Sequence, residues 1–274
     1  MPDSFITQFW IVIAAIWGLL IGSFLNVCIF RLPRGETIVR GHSYCPSCHH
    51  SLEGMDLIPI ASYLLLGRRC RYCHQPISGR YALIESWAGG YSLLAAWLWR
   101  AGGPLARPDA SLLLLSEFWL HALLSLSAMV TTYLLIVWAM ILYDGHRPPR
   151  LLYWLAIPGL ILRWLIQPES LLFHLMAGLV VIAATRLLTR TAFGRGAASE
   201  EDRALILDIG GGLALMTLYG GASTGLAAII TGLVLLALTH VLSRKQTQVP
   251  LRFHRLTAPL MLMAASLTWL LIQL

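Results

Sequence analysis

Four of the five cysteines in this 274-residue chain fall into two pairs of identical spacing, Cys45-Pro46-Ser47-Cys48 and Cys70-Arg71-Tyr72-Cys73, with 21 residues between them. A two-residue gap lets a tight turn set both sulfurs on one edge of a tetrahedron. Two such knuckles complete a shell of four thiolates, the donor set of a structural zinc site. Two disulfides, or redox use, are the alternative, and the side of the membrane on which the segment lies bears on that choice. Arg68, Arg69 and Arg71 are placed to offset the negative charge of a four-thiolate centre. His49, His50 and His74 flank the knuckles, and one of them could replace a cysteine as ligand. Cys28 stands apart in an apolar run, where burial as a small apolar side chain is expected.

The second set of reactive groups is acidic. Glu85, Glu117, Asp144 and Asp208 lie inside or at the rim of apolar stretches, where an ionisable residue is a functional candidate. Glu117 and His121 are four residues apart and are read as a structural pair on one helix face. Glu85 is expected either to bond a neighbouring helix or to help bind a substrate. Asp144 follows the end of its apolar run and Asp208 lies near the start of its own, so alternating spans put both on the same face. Two carboxyls brought together share one proton, so one can act as base on a water while the other protonates a carbonyl or leaving group. That is the chemistry of an aspartyl protease. The competing reading is that each aspartate only terminates a helix in the water layer.

The elements that must position these groups are read from hydropathy. The chain is 57% hydrophobic and 12% charged, against about 25% charged for an ordinary soluble domain. Its mean hydropathy is +0.70. About 20 apolar residues cross a bilayer as a helix. Eight runs qualify: about 8–30, 81–99, 118–143, 151–166, 171–189, 205–221, 224–242 and 256–273. The first is too long for a signal peptide core and lacks a cleavage site, so it is expected to be retained. The expected fold is therefore an all-α polytopic membrane protein of about eight transmembrane helices. It divides into a first helix at 1–30, a polar zinc-binding module at 31–80, and helices 2–8 at 81–274. With the N-terminus outside, only Arg100, Arg107 and Arg163 of the 20 basic residues fall outside. The positive-inside rule then puts the module and both aspartates at the cytoplasmic face, where disulfides are rare. The net charge of +7 is read as a topology signal. No basic stripe with interleaved aromatics is present, and no nucleic-acid partner is expected. The lipid bilayer is the expected surrounding.

Two smaller features belong to packing. Gly18-x-x-x-Gly22 is a small-xxx-small pattern that lets helices approach closely. Asn26, on the same run, is expected to hydrogen-bond a neighbouring helix.

Several motifs carry a family resemblance. Gly22-Ser23-Phe24-Leu25-Asn26-Val27-Cys28 runs on through Arg31-Leu32-Pro33-Arg34-Gly35-Glu36. It is followed by Cys45-Pro46-Ser47-Cys48, Asp56-Leu57-Ile58-Pro59 and Ser62-Tyr63-Leu64. Then come Gly67-Arg68-Arg69-Cys70-Arg71-Tyr72-Cys73, Pro76-Ile77-Ser78-Gly79-Arg80-Tyr81 and Glu85. Over residues 18–85 this resembles the bacterial prepilin peptidases, the type IV prepilin leader peptidase / N-methyltransferase family. The resemblance implies a multi-pass aspartyl endopeptidase of the bacterial inner membrane. Its substrates would be type IV prepilins or type II secretion pseudopilins, cut after a glycine at the end of a short basic leader. It also implies N-methylation of the new N-terminus with S-adenosylmethionine, for which the sequence carries no glycine-rich fingerprint.

The second half departs from the family pattern. Asp144 is followed by Gly145-His146-Arg147-Pro148-Pro149 where the family has a Leu-Pro. The second aspartate of the family lies in Gly-x-Gly-Asp-x-Lys. Asp208 matches it best, in Leu207-Asp208-Ile209-Gly210, without the preceding glycine or the lysine. Asp202 is the other match. A divergent member serving as a binding or assembly protein is the alternative function. A transporter is a third, disfavoured by the polar module and by the lack of an inverted repeat.

Overall fold

The structure is a computed structural model that describes residues 2–98, 100, 117–166 and, beyond these, 175–176, 178–179, 182–183, 208, 211 and 214. The described residues form five α-helices and two short 3-10 turns. The helices are α1 (Pro2–Arg31), α2 (Ala61–Leu65), α3 (Gly79–Leu98), α4 (Glu117–Tyr143) and α5 (Leu151–Ile166), with the 3-10 turns at Leu32–Arg34 and Gly54–Leu57. The chain divides into two compact units, Met1–Met129 and Val130–Leu274.

Four of the eight expected spans begin and end within a few residues of α1, α3, α4 and α5. The spans expected at 171–189, 205–221, 224–242 and 256–273 lie outside the described residues except for the scattered positions above. Among the described residues, two helices are long and apolar enough to cross a membrane, Phe5–Arg34 and Ala122–Tyr143. At 1.5 Å per residue, the 16 residues of α5 give a helix of about 24 Å, shorter than the roughly 30 Å hydrocarbon core. In α3, Arg80, Glu85, Ser86 and Ser92 dilute the apolar character of a 20-residue helix. The pairing expected of Glu117 and His121 lies outside the described side chains.

In the first unit α1 packs along α3 through residues without side chains. A Cβ on Gly18 would lie 2.6 Å from the Ala88 carbonyl oxygen, and one on Gly22 would lie 2.7 Å from the Glu85 Cα. Gly89 returns the contact, since a Cβ there would meet the Leu19 side chain at 2.6 Å. The small-xxx-small pattern thus does what its spacing implies, and it brings two backbones together. Asn26 adds the expected polar bond, its Nδ2 donating to the Gly22 carbonyl in its own helix (3.2 Å) and to the Tyr81 carbonyl in α3 (3.4 Å). Away from this seam, α1 exposes Phe5, Phe9, Val12, Ile16, Leu20 and Phe24. Their spacing of three and four residues makes one continuous apolar stripe, the surface a lipid-facing helix presents. Cys28 is buried, as expected of a small apolar side chain.

Gly22→Val is expected to destabilise the α1–α3 pair by about 1–3 kcal/mol, the usual cost of overpacking. Thermal unfolding in detergent measures it. Gly90→Val is the control, because a Cβ at Gly90 meets nothing within 4 Å, and its melting temperature should not fall.

Candidate functional site

The two knuckles are copies of one local structure displaced by 25 residues. In the first, the His49 N–H donates to the Cys45 carbonyl (2.9 Å) and the Cys45 N–H to the His50 carbonyl (3.0 Å). In the second, His74 donates to Cys70 (3.0 Å) and Cys70 to Gln75 (2.9 Å). One isolated antiparallel bridge closes each loop, Tyr44 with Ser51 and Arg69 with Pro76. The residue after each second cysteine turns left-handed, His49 at φ 57° and His74 at φ 59°. Histidine tolerates that region better than most side chains. His49 and His74 therefore shape the turns, and the cluster able to hold a metal consists of the four cysteines alone.

The four Sγ atoms lie within 4.8 Å of one another, with Cys45 and Cys73 3.9 Å apart. All five cysteines are free thiols. A tetrahedral site with metal–sulfur bonds of about 2.3 Å has edges of about 3.8 Å, so the spacing suits such an ion. Cys45 and Cys70 are buried, Cys73 is half-buried and Cys48 is exposed. Burial raises the Cys45 thiol. Hydrogen bonds from the Cys48 and Ser47 backbone and from the Cys70 and Cys48 thiols outweigh it and bring the group down to about 7. Cys73 goes the other way. The Gln75 backbone N–H favours its thiolate, but desolvation and the surrounding thiols Cys48, Cys70 and Cys45 push it up to about 12.

The arginines beside the sulfurs each have a local partner. Arg71 pairs through Nε with Asp56 Oδ1 at 2.8 Å. Arg69 donates to the His74 carbonyl (3.4 Å), and Arg68 lies over the Tyr63 ring. Asp56 is the joint between the second knuckle and the 3-10 turn. Its side chain, 3% exposed, also accepts from the Tyr72 hydroxyl (3.1 Å) and the Glu53 N–H (3.2 Å). Burial raises the Asp56 carboxyl, but those donors and the Arg71 charge hold it below the ordinary carboxylate range. Spacing gave no hint of this role, because the partners are distant in sequence.

Glu85 is buried in α3 and accepts the Ile60 N–H at 2.8 Å. Ile60 has φ 61° and ψ −48°, and the Ala61 N–H bonds the Pro59 carbonyl across it. That is a three-residue γ-turn of the rare positive-φ kind, held at a β-branched residue. Next to this turn, α1, α2, α3 and the cysteine module enclose a cavity of about 380 Å³.

In the second unit Asp144 sits at the C-cap of α4. Gly145 turns left-handed (φ 80°), its N–H reaches the Leu142 carbonyl, and the His146 N–H reaches the Ile141 carbonyl. This pair of bonds is a Schellman ending, so the glycine after the aspartate is what stops the helix. Asp208, Gly211 and Ala214 are each helical, and their spacing of three puts them on one face. Asp208 is half-buried and close enough to Arg147 and to the Tyr153 hydroxyl for their charges to interact. A Cβ on Gly211 would lie 2.7 Å from the Tyr153 hydroxyl oxygen. This glycine is therefore a seat for tyrosine. Trp138 Nε1 lies beside the same hydroxyl without hydrogen-bond geometry. Asp208 thus lies near Arg147, which is three residues beyond Asp144 in the chain. Asp202 lies outside the described residues.

Comparison with known proteins finds similarity over part of the chain. Residues 16–99 match the model of the Bacterial Peptidase A24 N-terminal domain. A prepilin leader peptidase/N-methyltransferase of Myxococcus xanthus is 51% identical over 72 residues, 26% of this chain and 22% of that protein. The Klebsiella pneumoniae protein of that name is 42% identical over 94 residues, 32% and 41% of the two chains. An Escherichia coli type 4 prepilin-like proteins leader peptide-processing enzyme is 37% identical over 110 residues, 34% and 41%. The chain thus spans less than half the length of the relatives it matches. No solved structure matches it.

Cys45→Ser and Cys73→Ser are each expected to abolish stoichiometric metal, read by elemental analysis of the purified protein. His74→Gly should keep the metal, whereas His74→Val should cost about 1–2 kcal/mol for a left-handed β-branched residue. Metal uptake requires thiolates. Uptake by the metal-free protein should therefore weaken as pH falls through about 7, where Cys45 takes up a proton, and strengthen toward alkaline pH. A competition titration with a chromophoric chelator measures the slope.

Proposed function

Because residues 16–99 belong to the Bacterial Peptidase A24 N-terminal domain family, we propose that the chain is a multi-span aspartyl endopeptidase of the bacterial inner membrane. It cuts the basic leader of type IV prepilins or pseudopilins after glycine at the cytoplasmic face. The proposed topology has eight spans with the N-terminus outside, and the four-cysteine module lies on the cytoplasmic side with a zinc ion as its staple. The zinc is structural, since four protein thiolates leave no open position for a substrate.

The observation that carries this reading is the interaction of Asp208 with Arg147, three residues beyond Asp144. Arg147 supplies beside Asp208 the cation that the family pattern places two residues after its aspartate and that Gly210 does not provide. The proposed chemistry uses the two carboxyls as one unit. A water between them gives a proton to the carboxylate while its oxygen bonds to the carbonyl carbon of the scissile peptide. The protonated partner gives its proton to the carbonyl oxygen. The tetrahedral adduct then collapses as the C–N bond breaks and the departing amine takes up a proton. Arg147 and the Tyr153 hydroxyl position the Asp208 carboxylate for this exchange. S-adenosylmethionine, when bound, supplies the methyl group for the new N-terminus. A binding or assembly role without cleavage is the second reading, favoured by the missing glycine and lysine around Asp208.

Purified protein in detergent should cleave a prepilin whose basic leader ends in glycine. Asp144→Ala and Asp208→Ala should each lower the rate by at least about 10²–10⁴-fold, the scale of a lost general acid or base. Arg147→Ala should lower it less and Arg147→Lys restore part of the loss. Loss of cleavage in Asp202→Ala with Asp208→Ala active would move the second carboxyl to Asp202. A wild-type protein inert toward several pilins would leave the assembly role.

A further inference from the structure

The short helix α2 has an inner and an outer side. Ser62 and Tyr63, with Leu66 just after the helix, wall the cavity. Leu64 and Leu65 form no part of that wall and are 60% and 85% exposed. Met55 and Ile58, on the stretch leading into α2, are exposed as well. Apolar exposure gathered in one short stretch marks a contact with a protein or with a membrane.

Depth decides between the two. The exposed stripe of α1 runs from Phe5 to Phe24. At 1.5 Å per residue it measures about 28 Å, close to the roughly 30 Å of a hydrocarbon core. Phe24 therefore marks the edge of that core on the side of the cysteine module. The seam with α3 carries this level across. Gly22 lies against the Glu85 backbone, and Glu85 holds the Ile60 N–H at 2.8 Å. The start of α2 is thus set within the reach of one glutamate side chain from the level of Gly22. The cavity agrees, because α2 shares its walls with Ser23, Asn26 and Val27, the turn of α1 around Phe24. A module tethered only at the ends of its two helices could hang clear of a bilayer. This one is drawn down beside α1, and its outward leucines emerge where acyl chains meet headgroups.

Charge fits the same surface. Past α2 the positive φ of Gly67 turns the chain into Arg68 and Arg69. Both are exposed, and neither is in an ion pair among the described residues. Arg68 lies over the Tyr63 ring, and Arg69 gives one N–H to the His74 carbonyl. Most of their guanidinium donors remain for phosphate oxygens. Glu53 is the exposed acid, at the far end of the stretch. Outward apolar side chains followed by adjacent arginines suit a segment lying in an anionic interface.

We propose that α2 and the turn before it dip into the leaflet at the Arg31 end of α1. Leu64 and Leu65 lie among the upper acyl carbons, and Arg68 and Arg69 meet the phosphates of an anionic phospholipid. The inference rests on the reading of α1 as a membrane-spanning helix and is independent of peptidase activity. It gives the bond between Glu85 and the strained Ile60 turn a task, holding α2 at that depth.

The test is photolabelling of the metal-loaded full chain in vesicles of phosphatidylethanolamine and phosphatidylglycerol. One lipid probe carries a diazirine near the headgroup and another near the end of the acyl chain, and mass spectrometry maps the adducts. The shallow probe should label residues 55–65 several-fold more than the deep one, while the stripe of α1 is labelled by both. Leu65→Glu should lower the labelling of that segment several-fold with metal content and melting temperature kept. Replacing phosphatidylglycerol by phosphatidylcholine should lower it in the wild type and change nothing in the double variant Arg68→Gln, Arg69→Gln. Labelling of α1 without labelling of 55–65 overturns the proposal and leaves the spanning helix standing. Absence of labelling from both overturns the spanning reading along with it. Labelling unchanged in Leu65→Glu overturns the docking face. Labelling of 55–65 that vanishes as the protein-to-lipid ratio rises assigns the face to a second copy of the chain and likewise overturns the proposal.

Discussion

The approach of α1 to α3 at Gly18 and Gly22 is the constraint on which the first unit depends. The polar module leaves α1 at one end and enters α3 at the other, so the separation of those helices sets the distance between its two anchors. A side chain of any size at Gly22 would drive into the Glu85 backbone. The same seam decides where Glu85 and Asn26 stand, one on each helix, at the mouth of the module. Arg31, the last residue of α1, extends the hold by donating to the Thr37, Arg40 and His42 carbonyls. The stretch that follows the helix is thereby gathered back onto it before the first knuckle begins.

What sequence made legible was short-range or periodic. Cys45, Cys48, Cys70 and Cys73 could be grouped because two identical gaps repeat, and Gly18 and Gly22 because four residues make a helical turn. Asn26 could be assigned a neighbouring carbonyl because an amide on an apolar helix needs one. The end of α4 near Asp144 was visible from the end of the apolar run, whereas its glycine cap was not read. What escaped depends on contacts between distant positions. Nothing near Asp56 announces that Arg71 and Tyr72 will converge on it. Ile60 follows a proline, and no residue type in that stretch signals a left-handed isoleucine latched by a glutamate 25 positions away. The histidines beside the knuckles drew attention as possible ligands because of their chemistry, whereas the fold uses their tolerance of positive φ. Gly211 could be noticed in a run of three glycines, but its reason is the Tyr153 hydroxyl, which only tertiary structure supplies.

Charge in the module is distributed by local pairing and not by one cationic patch facing the sulfurs. Arg71 goes to Asp56, Arg69 to a carbonyl of the second knuckle, and Arg68 to an aromatic face. Each takes a nearby partner that orders the chain. Cys45 relies for its lowered value on the backbone N–H groups of Cys48 and Ser47 in its own loop and on the Cys70 and Cys48 thiols.

The near-identity of the two knuckles has a mechanical corollary. Each loop closes on its own carbonyls and its own bridge, so each is a self-contained buckle. Neither loop's backbone bonds depend on the other, and the thiols meet across the gap between them. An ion held there works as a clasp fastening two finished pieces, in contrast to a nucleus around which an unformed segment gathers. Opening the clasp would leave the two buckles joined by the His50 and Tyr72 rings and by Asp56, which ties the intervening 3-10 turn to Arg71 and Tyr72.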